Sequence, residues 1–255
     1  MRNAAACFCF ALASLLGLPA AAREPRYTVL RIDTRSQPLA LYLNDERGRP
    51  FHDFKRLDAW LQARGQRLRY AMNAGMFEPD YSPVGLFVAE GQEKTPLNLR
   101  DGEGNFYLKP NGVFLLDRDG QPRVIEASRY PEIARGARLA TQSGPLLVEA
   151  GRIHPALDPQ SRSRHLRNGI GVKGDEVIWA ISDDKVSLHE FARYFRDELG
   201  CRDALYLDGS LSSLYAPEFK RADRRGRLGP ILAVVEPLRS APAQAGPDAG
   251  TLGAR

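Results

Sequence analysis

The chain has 255 residues, a formal net charge of +5 and charged residues of both signs along its length. That balance suits one globular domain with a sizeable core and excludes a largely disordered chain. No nucleic-acid-binding motif is present, and the aromatic residues do not interleave with the basic ones as a stacking platform would require.

The first 22 residues read as a signal peptide. Arg2 supplies the positive start, Ala4 to Leu16 form an apolar run, and Ala20-Ala21-Ala22 offers a small-residue cleavage site before Arg23. The run is short for a membrane span, although a retained N-terminal anchor is the alternative reading. Cys7 and Cys9 fall inside this leader, so the expected mature chain keeps Cys201 alone. It therefore has no internal disulfide and no cysteine-based metal cage, and an exported chain of this kind suggests a periplasmic or secreted bacterial protein.

Tyr27 to Asp33 and Pro38 to Leu43 suggest a hairpin around Thr34-Arg35-Ser36. Asp53 to Arg64 has helical spacing, with Phe54, Leu57, Trp60 and Leu61 on one face and Gly65 beyond its end. Leu68 to Met72 is a strand running into Asn73-Ala74-Gly75-Met76-Phe77. Further strands are expected at 85–89, 112–116, 124–126, 145–148, 169–172, 177–181 and 231–235. Ser187 and Glu190 have capping-box spacing, and Leu188, Phe191, Ala192, Phe195 and Leu199 continue a helix that Gly200 ends. Ala204 to Leu207 is a buried strand that delivers Asp208 at its C-terminal end. Strands dominate, so the expected class is α+β, a mixed sheet flanked by a few helices in a single domain over residues 23–239. Residues 240–255 are low in complexity and expected to be disordered.

Five polar clusters lie at strand ends: Asn73 to Phe77, Thr141 to Pro145, His165 to Gly171, Ser182-Asp183-Asp184 and Asp208 to Ser213. Each alone reads as a turn. Together they suggest one shared pocket, because ligand sites gather at strand ends in sheets with helical crossovers. An amide such as Asn73 can hold a hydroxyl or a phosphate oxygen, backbone N–H groups near Gly144 can form an anion nest, and Arg167 can grip a planar anion bidentately. Arginines also cluster at 162, 164 and 167 and at 221, 224, 225 and 227, a surface suited to anionic glycans, phosphates or a membrane face, or a solvated face.

The set Asn73-Ala74-Gly75-Met76-Phe77, Gln142-Ser143-Gly144-Pro145, Arg167-Asn168-Gly169-Ile170-Gly171 and Asp208-Gly209-Ser210-Leu211-Ser212-Ser213 resembles the phosphodiester glycosidase family, in the family's order and across nearly the whole mature chain. Asp208-Gly209-Ser210-Leu211-Ser212 stands where the family often shows Asp-Gly-Gly-Gly-Ser. The resemblance implies an exported hydrolase that cleaves a sugar from a phosphodiester, here on an envelope or exopolysaccharide glycan. Asp208 is then the candidate nucleophile or general base and Arg167 the phosphate clamp. Asp183 is a candidate second carboxylate and His165 a candidate proton carrier. Asn73, Phe77, Gln142, Ser143, Gly144, Asn168, Gly209, Ser210 and Ser213 are candidate substrate-binding residues. No cofactor is expected, and a divalent cation on Asp183 and Asp208 has no supporting loop spacing. Two other classes fit less of the pattern. A serine hydrolase would use Ser143 or Ser210, neither of which sits in a nucleophile elbow. A non-catalytic module would bind envelope glycan without turnover.

Overall fold

The computed structural model describes residues 24–133 and 136–238. The expected signal peptide and the expected C-terminal tail lie outside the described residues. The described chain folds into three sheets. The first has six strands in the order Tyr27–Asp33, Glu176–Ser182, Asn168–Lys173, Asp203–Asp208, Leu146–Glu149 and Arg152–Ile153. The second runs Arg221–Ala222, Leu214–Ala216, Gln66–Asn73, Ile231–Pro237 and Leu39–Tyr42. The third runs Gln92–Thr95, Phe87–Ala89, Leu139–Ser143, Gly112–Leu116 and Pro122–Glu126.

The inner faces of all three sheets close on one core. Leu30, Ile170, Trp179, Leu205 and Leu207 come to it from the first sheet, Leu41, Tyr70 and Met72 from the second, and Phe87, Phe114 and Leu139 from the third. Each outer face has its own cover. The helix Leu188–Arg193, whose last turns widen into a π-turn at Tyr194–Glu198, packs Phe191 and Phe195 against Ile178, Ala180, Ala204 and Tyr206. Helix Phe54–Gln62 places Phe54, Leu57 and Leu61 on Leu68, Ala71 and Ala233. The segment around Tyr130 and Ala137 covers Leu86, Val113 and Leu115. Both longer helices are capped at their N-termini, the second by the expected capping box. Asp53 accepts from the Arg56 N–H, and Ser187 and Glu190 form both bonds of the capping box.

The strand-dominated α+β class is as expected, with two corrections. Every strand pairing among the described residues is antiparallel, where a mixed sheet was expected. The helical crossover joins Glu176–Ser182 to Asp203–Asp208, which run parallel but are separated by the antiparallel strand Asn168–Lys173, so no parallel ladder forms. The expected first hairpin is absent as well. Tyr27–Asp33 pairs with Glu176–Ser182 in the first sheet and Leu39–Tyr42 with Ile231–Pro237 in the second. The turn at Asp33 sends the two strands to different sheets, and Leu30, Ile32, Leu39 and Leu41 still share the common core.

The strand Asn168–Lys173 sits at the centre of this arrangement and owes its fit to glycine. A Cβ on Gly169 would lie 2.9 Å from the Leu205 carbonyl and 3.1 Å from the rings of Phe191 and Phe195. Gly169→Ala is therefore expected to destabilise the fold by about 1–3 kcal/mol through overpacking. Urea unfolding of parent and variant measures it, and an unchanged midpoint would refute this packing account.

Candidate active site

The edge of the first sheet gathers Asp208 at the end of one strand, Arg167 and Asn168 at the start of its neighbour, and Ser182 at the end of the next. Asn168 lies opposite both Asp208 and Ile181, and the Ser182 N–H donates to the Arg167 carbonyl. Side-chain alternation puts Tyr206 and Asp208 on one face of their strand. Asn73 from the second sheet and Ser143 from the third reach the same edge.

These buried polar residues are held by one another. Asn168 Nδ2 donates to the Asn73 carbonyl at 3.0 Å and to Asn73 Oδ1 at 3.1 Å. Asn73 Oδ1 also accepts from the Ser213 N–H, and Asn73 Nδ2 makes a long 3.4 Å bond to Asp208 Oδ2. Ser212 Oγ lies within hydrogen-bond distance of the Asp208 carbonyl, Asn168 Oδ1 and the Leu166 carbonyl. Ser143 Oγ donates to the Leu207 carbonyl, and Thr141 Oγ1 to the Ala74 carbonyl. Gln142 accepts from the Leu86 and Asn98 N–H groups and donates to the Asn98 carbonyl. The side chains of Asn73, Gln142, Ser143, Asn168 and Ser213 are thus buried behind the site.

In front of this network lies a cavity of roughly 630 Å³. Arg167, Tyr206, Asp208, Gly209 and Ser210 form its floor, with Phe77, His165 and Leu211 among the walls. Asp208 is 6% exposed, and that residual surface faces the cavity. Its Oδ1 accepts the Ser210 N–H at 2.8 Å. Burial pushes its pKa above the ordinary aspartate value, and backbone N–H groups of Ser210, Gly209 and Leu211 oppose part of that rise. Arg167 is fixed from three sides, donating through Nε to the Val186 carbonyl, through Nη1 to the Tyr206 hydroxyl and through Nη2 to the Ser163 carbonyl. A guanidinium has five N–H donors, so one on each terminal nitrogen remains for a ligand. Burial pushes the Tyr206 phenol up to about 12, which keeps it protonated at neutral pH. A protected carboxylate beside a pre-oriented guanidinium and a phenol can take up a proton while binding an oxyanion.

The structure brings Asp208, Arg167, His165, Phe77, Gly209 and Ser210 to one cavity. Asp183 stands elsewhere, ion-paired with Arg221 and bonded to Thr28, and it does not line the cavity. Gly144 packs against the Asn105 and Phe106 backbone. Sequence reasoning missed Tyr206, although its position two residues before Asp208 placed it on the same face. It also missed the wall from Glu103 to Tyr107 and the two exposed carboxylates Glu78 and Glu103. Those lie on irregular segments with no periodic signal.

A profile of phosphodiester glycosidases matches residues 66–230, a span that contains Asn73, Arg167 and Asp208. The chain belongs to the phosphodiester glycosidase family. It is 34% identical over 197 residues to the uncharacterized protein YigE of Escherichia coli (strain K12), covering 75% of this chain and 76% of that protein. Its fold is similar to the zebrafish N-acetylglucosamine-1-phosphodiester alpha-N-acetylglucosaminidase catalytic domain, auto-inhibited by its pro-peptide, with a TM-score of 0.55, 13% identity, and 83% of this chain and 82% of that one covered. A putative exported protein of Burkholderia pseudomallei K96243 is similar at a TM-score of 0.53 and 12% identity, with 82% of this chain and 73% of that one covered.

Gly209 is the tightest point of the site. A Cβ there would fall 2.0 Å from the Tyr206 hydroxyl oxygen but 3.3 Å from the ring carbon that carries it. Gly209→Ala is expected to lower the melting temperature, and Tyr206→Phe in the same chain to recover most of that loss, since only the hydroxyl collides. Melting curves of the single and double variants decide it, and equal losses in both would place the strain elsewhere.

Proposed function

We propose that this protein is an exported hydrolase that cleaves the bond between a sugar's anomeric carbon and a phosphodiester oxygen, on an envelope or exopolysaccharide glycan. The observation that supports this best is the pairing of buried Asp208 with the two unoccupied N–H groups of Arg167 on one cavity floor, in a chain of this family. Export is supported by the leader-like N-terminal sequence, and a putative exported protein of similar fold is in keeping with it. Among the described residues no helix is long and apolar enough to cross a membrane.

In this reading Asp208 acts as general base. A water oxygen bonds to the anomeric carbon and gives its proton to Asp208. The carbon–oxygen bond breaks, and its electron pair leaves with the phosphate monoester. Arg167 binds the phosphate oxygens, where charge accumulates as the bond breaks, and the Tyr206 O–H is a further donor to them. Because a phosphate monoester is a good leaving group, the site does not depend on a strong general acid, and the position of Asp183 away from the cavity is compatible with that. Asn73, Asn168, Ser212 and Ser213 position the Asp208 loop. Phe77, Ser210 and His165 contact the sugar or its aglycone.

Asp208→Asn is expected to lower turnover of a sugar-1-phosphodiester by about 10²-fold or more. Arg167→Lys, which keeps the charge but loses the fork, is expected to lose most activity. The acid limb of the parent's pH–rate profile should lie above 3.8, the ordinary aspartate value, because burial raises this pKa. The same shift has a stability consequence of known sign. A raised folded-state pKa means that folding binds a proton, so the buried anion weakens the fold as pH rises through that pKa. Asp208→Asn should melt no lower than the parent at neutral pH, with its advantage shrinking as the pH falls. Unchanged turnover in Asp208→Asn, measured beside its melting curve, would reject the catalytic role.

A further inference from the structure

Both arginine clusters divide into paired and unpaired members. Arg164 is ion-paired with Glu190, Arg221 with Asp183 and Asp223, and Arg167 belongs to the cavity floor. Arg162, Arg224, Arg225 and Arg227 are exposed, and none of the four forms an ion pair with another described residue. For Arg224, Arg225 and Arg227 the nearest acid in sequence, Asp223, is engaged by Arg221 and by the Leu214 N–H.

The location of these four cations ties them to the cavity. The segment 223–230 runs along one wall, where a Cβ on Gly226 would meet Leu211 at 2.8 Å and one on Gly229 would meet Phe77 at 2.6 Å. Leu211 and Phe77 both line the cavity. Arg224, Arg225 and Arg227 therefore lie on the segment that packs against this wall, outside the cavity itself, and Arg162 adjoins the wall residue Ser163. The cavity's exposed acids, Glu78 and Glu103, sit on other loops than these arginines. Arg167 already serves a phosphate on the floor, so these outer cations suit further negative groups beyond the scissile one.

We infer that the substrate is a polyanionic glycan of repeating sugar phosphodiesters, whose additional phosphates bind outside the cavity along Arg224, Arg225 and Arg227 with Arg162. This deepens the hydrolase reading by naming its substrate class, and it rests on that reading. An isolated sugar-1-phosphodiester would fill the floor and leave the rim unused.

The test uses the full chain and two probes: a single-repeat sugar-1-phosphodiester and an oligomer of several sugar-phosphate repeats. Oligomer binding is measured by fluorescence anisotropy on Asp208→Asn, which suppresses turnover, with and without Arg224→Gln, Arg225→Gln and Arg227→Gln. The expected result is an oligomer affinity about tenfold or more weaker in the rim variant, with a flatter salt dependence. With Asp208 intact, single-repeat turnover should stay within about twofold of the parent, because the rim lies outside the floor chemistry. Equal oligomer affinity with and without the rim arginines overturns the inference. So does an equal loss on both probes, or a loss confined to phosphatidylglycerol vesicles, which would make the rim a membrane-facing patch. If the parent hydrolyses neither probe while oligomer binding still depends on the rim, the hydrolase reading fails and the polyanion site stands.

Discussion

Buried polar groups have to find partners inside the protein, and at the meeting point of the three sheets they find one another. Asn73 supplies one amide to this junction and Asn168 another, and between them they tie the second sheet to the first, hold the Ser213 backbone and touch Asp208. Ser143 and Thr141 join the third sheet to its neighbours through single hydroxyls. An unsatisfied buried amide or hydroxyl would cost about 1–3 kcal/mol. The cost of misplacing any sheet is therefore concentrated at this one junction, which is also the support of the candidate catalytic carboxylate.

That arrangement explains a division of labour among the polar residues. Asn73, Gln142, Ser143 and Asn168, behind the junction, spend their side-chain groups on hydrogen bonds within the protein. Those in front keep spare capacity: Arg167 has two unused N–H groups, and Asp208 and Tyr206 have surface on the cavity. A site of this kind needs little rearrangement when an anion arrives, because the supporting residues already hold its donors in place.

Much of the frame could be read from residue patterns. Continuous apolar runs such as those within Glu176–Ser182 and Asp203–Asp208, and the capping box at Ser187, carry strong local signals. Leu139–Ser143 did not, because Thr141, Gln142 and Ser143 are polar yet wholly buried, and their burial depends on partners far along the chain. For the same reason Gln142 and Ser143 suggested ligand contacts when their partners are the protein's own backbone. The partner of Tyr27–Asp33 was equally hidden, since a turn says where a strand ends and not which sheet receives the next one. Asp208, Arg167 and Gly209 were legible because a strand end, a glycine and a charged group coincided. Asp183 also follows a strand end, but it stands outside the cavity and is ion-paired with Arg221.

The Asn73 junction also has a consequence in time. Its contacts to Asp208 and Ser213 span 135 and 140 residues of sequence. Contacts of such separation form late in folding, because a long loop must close before they contribute anything. A chain emerging from synthesis or crossing a membrane from its N-terminus exposes Asn73 long before its partners are available. The cavity floor cannot exist until the strand Asp203–Asp208 and the loop after it have joined the sheets. Any chemistry the floor performs is thereby withheld from the unfinished chain and begins only once nearly all of it has left the ribosome or the translocation channel.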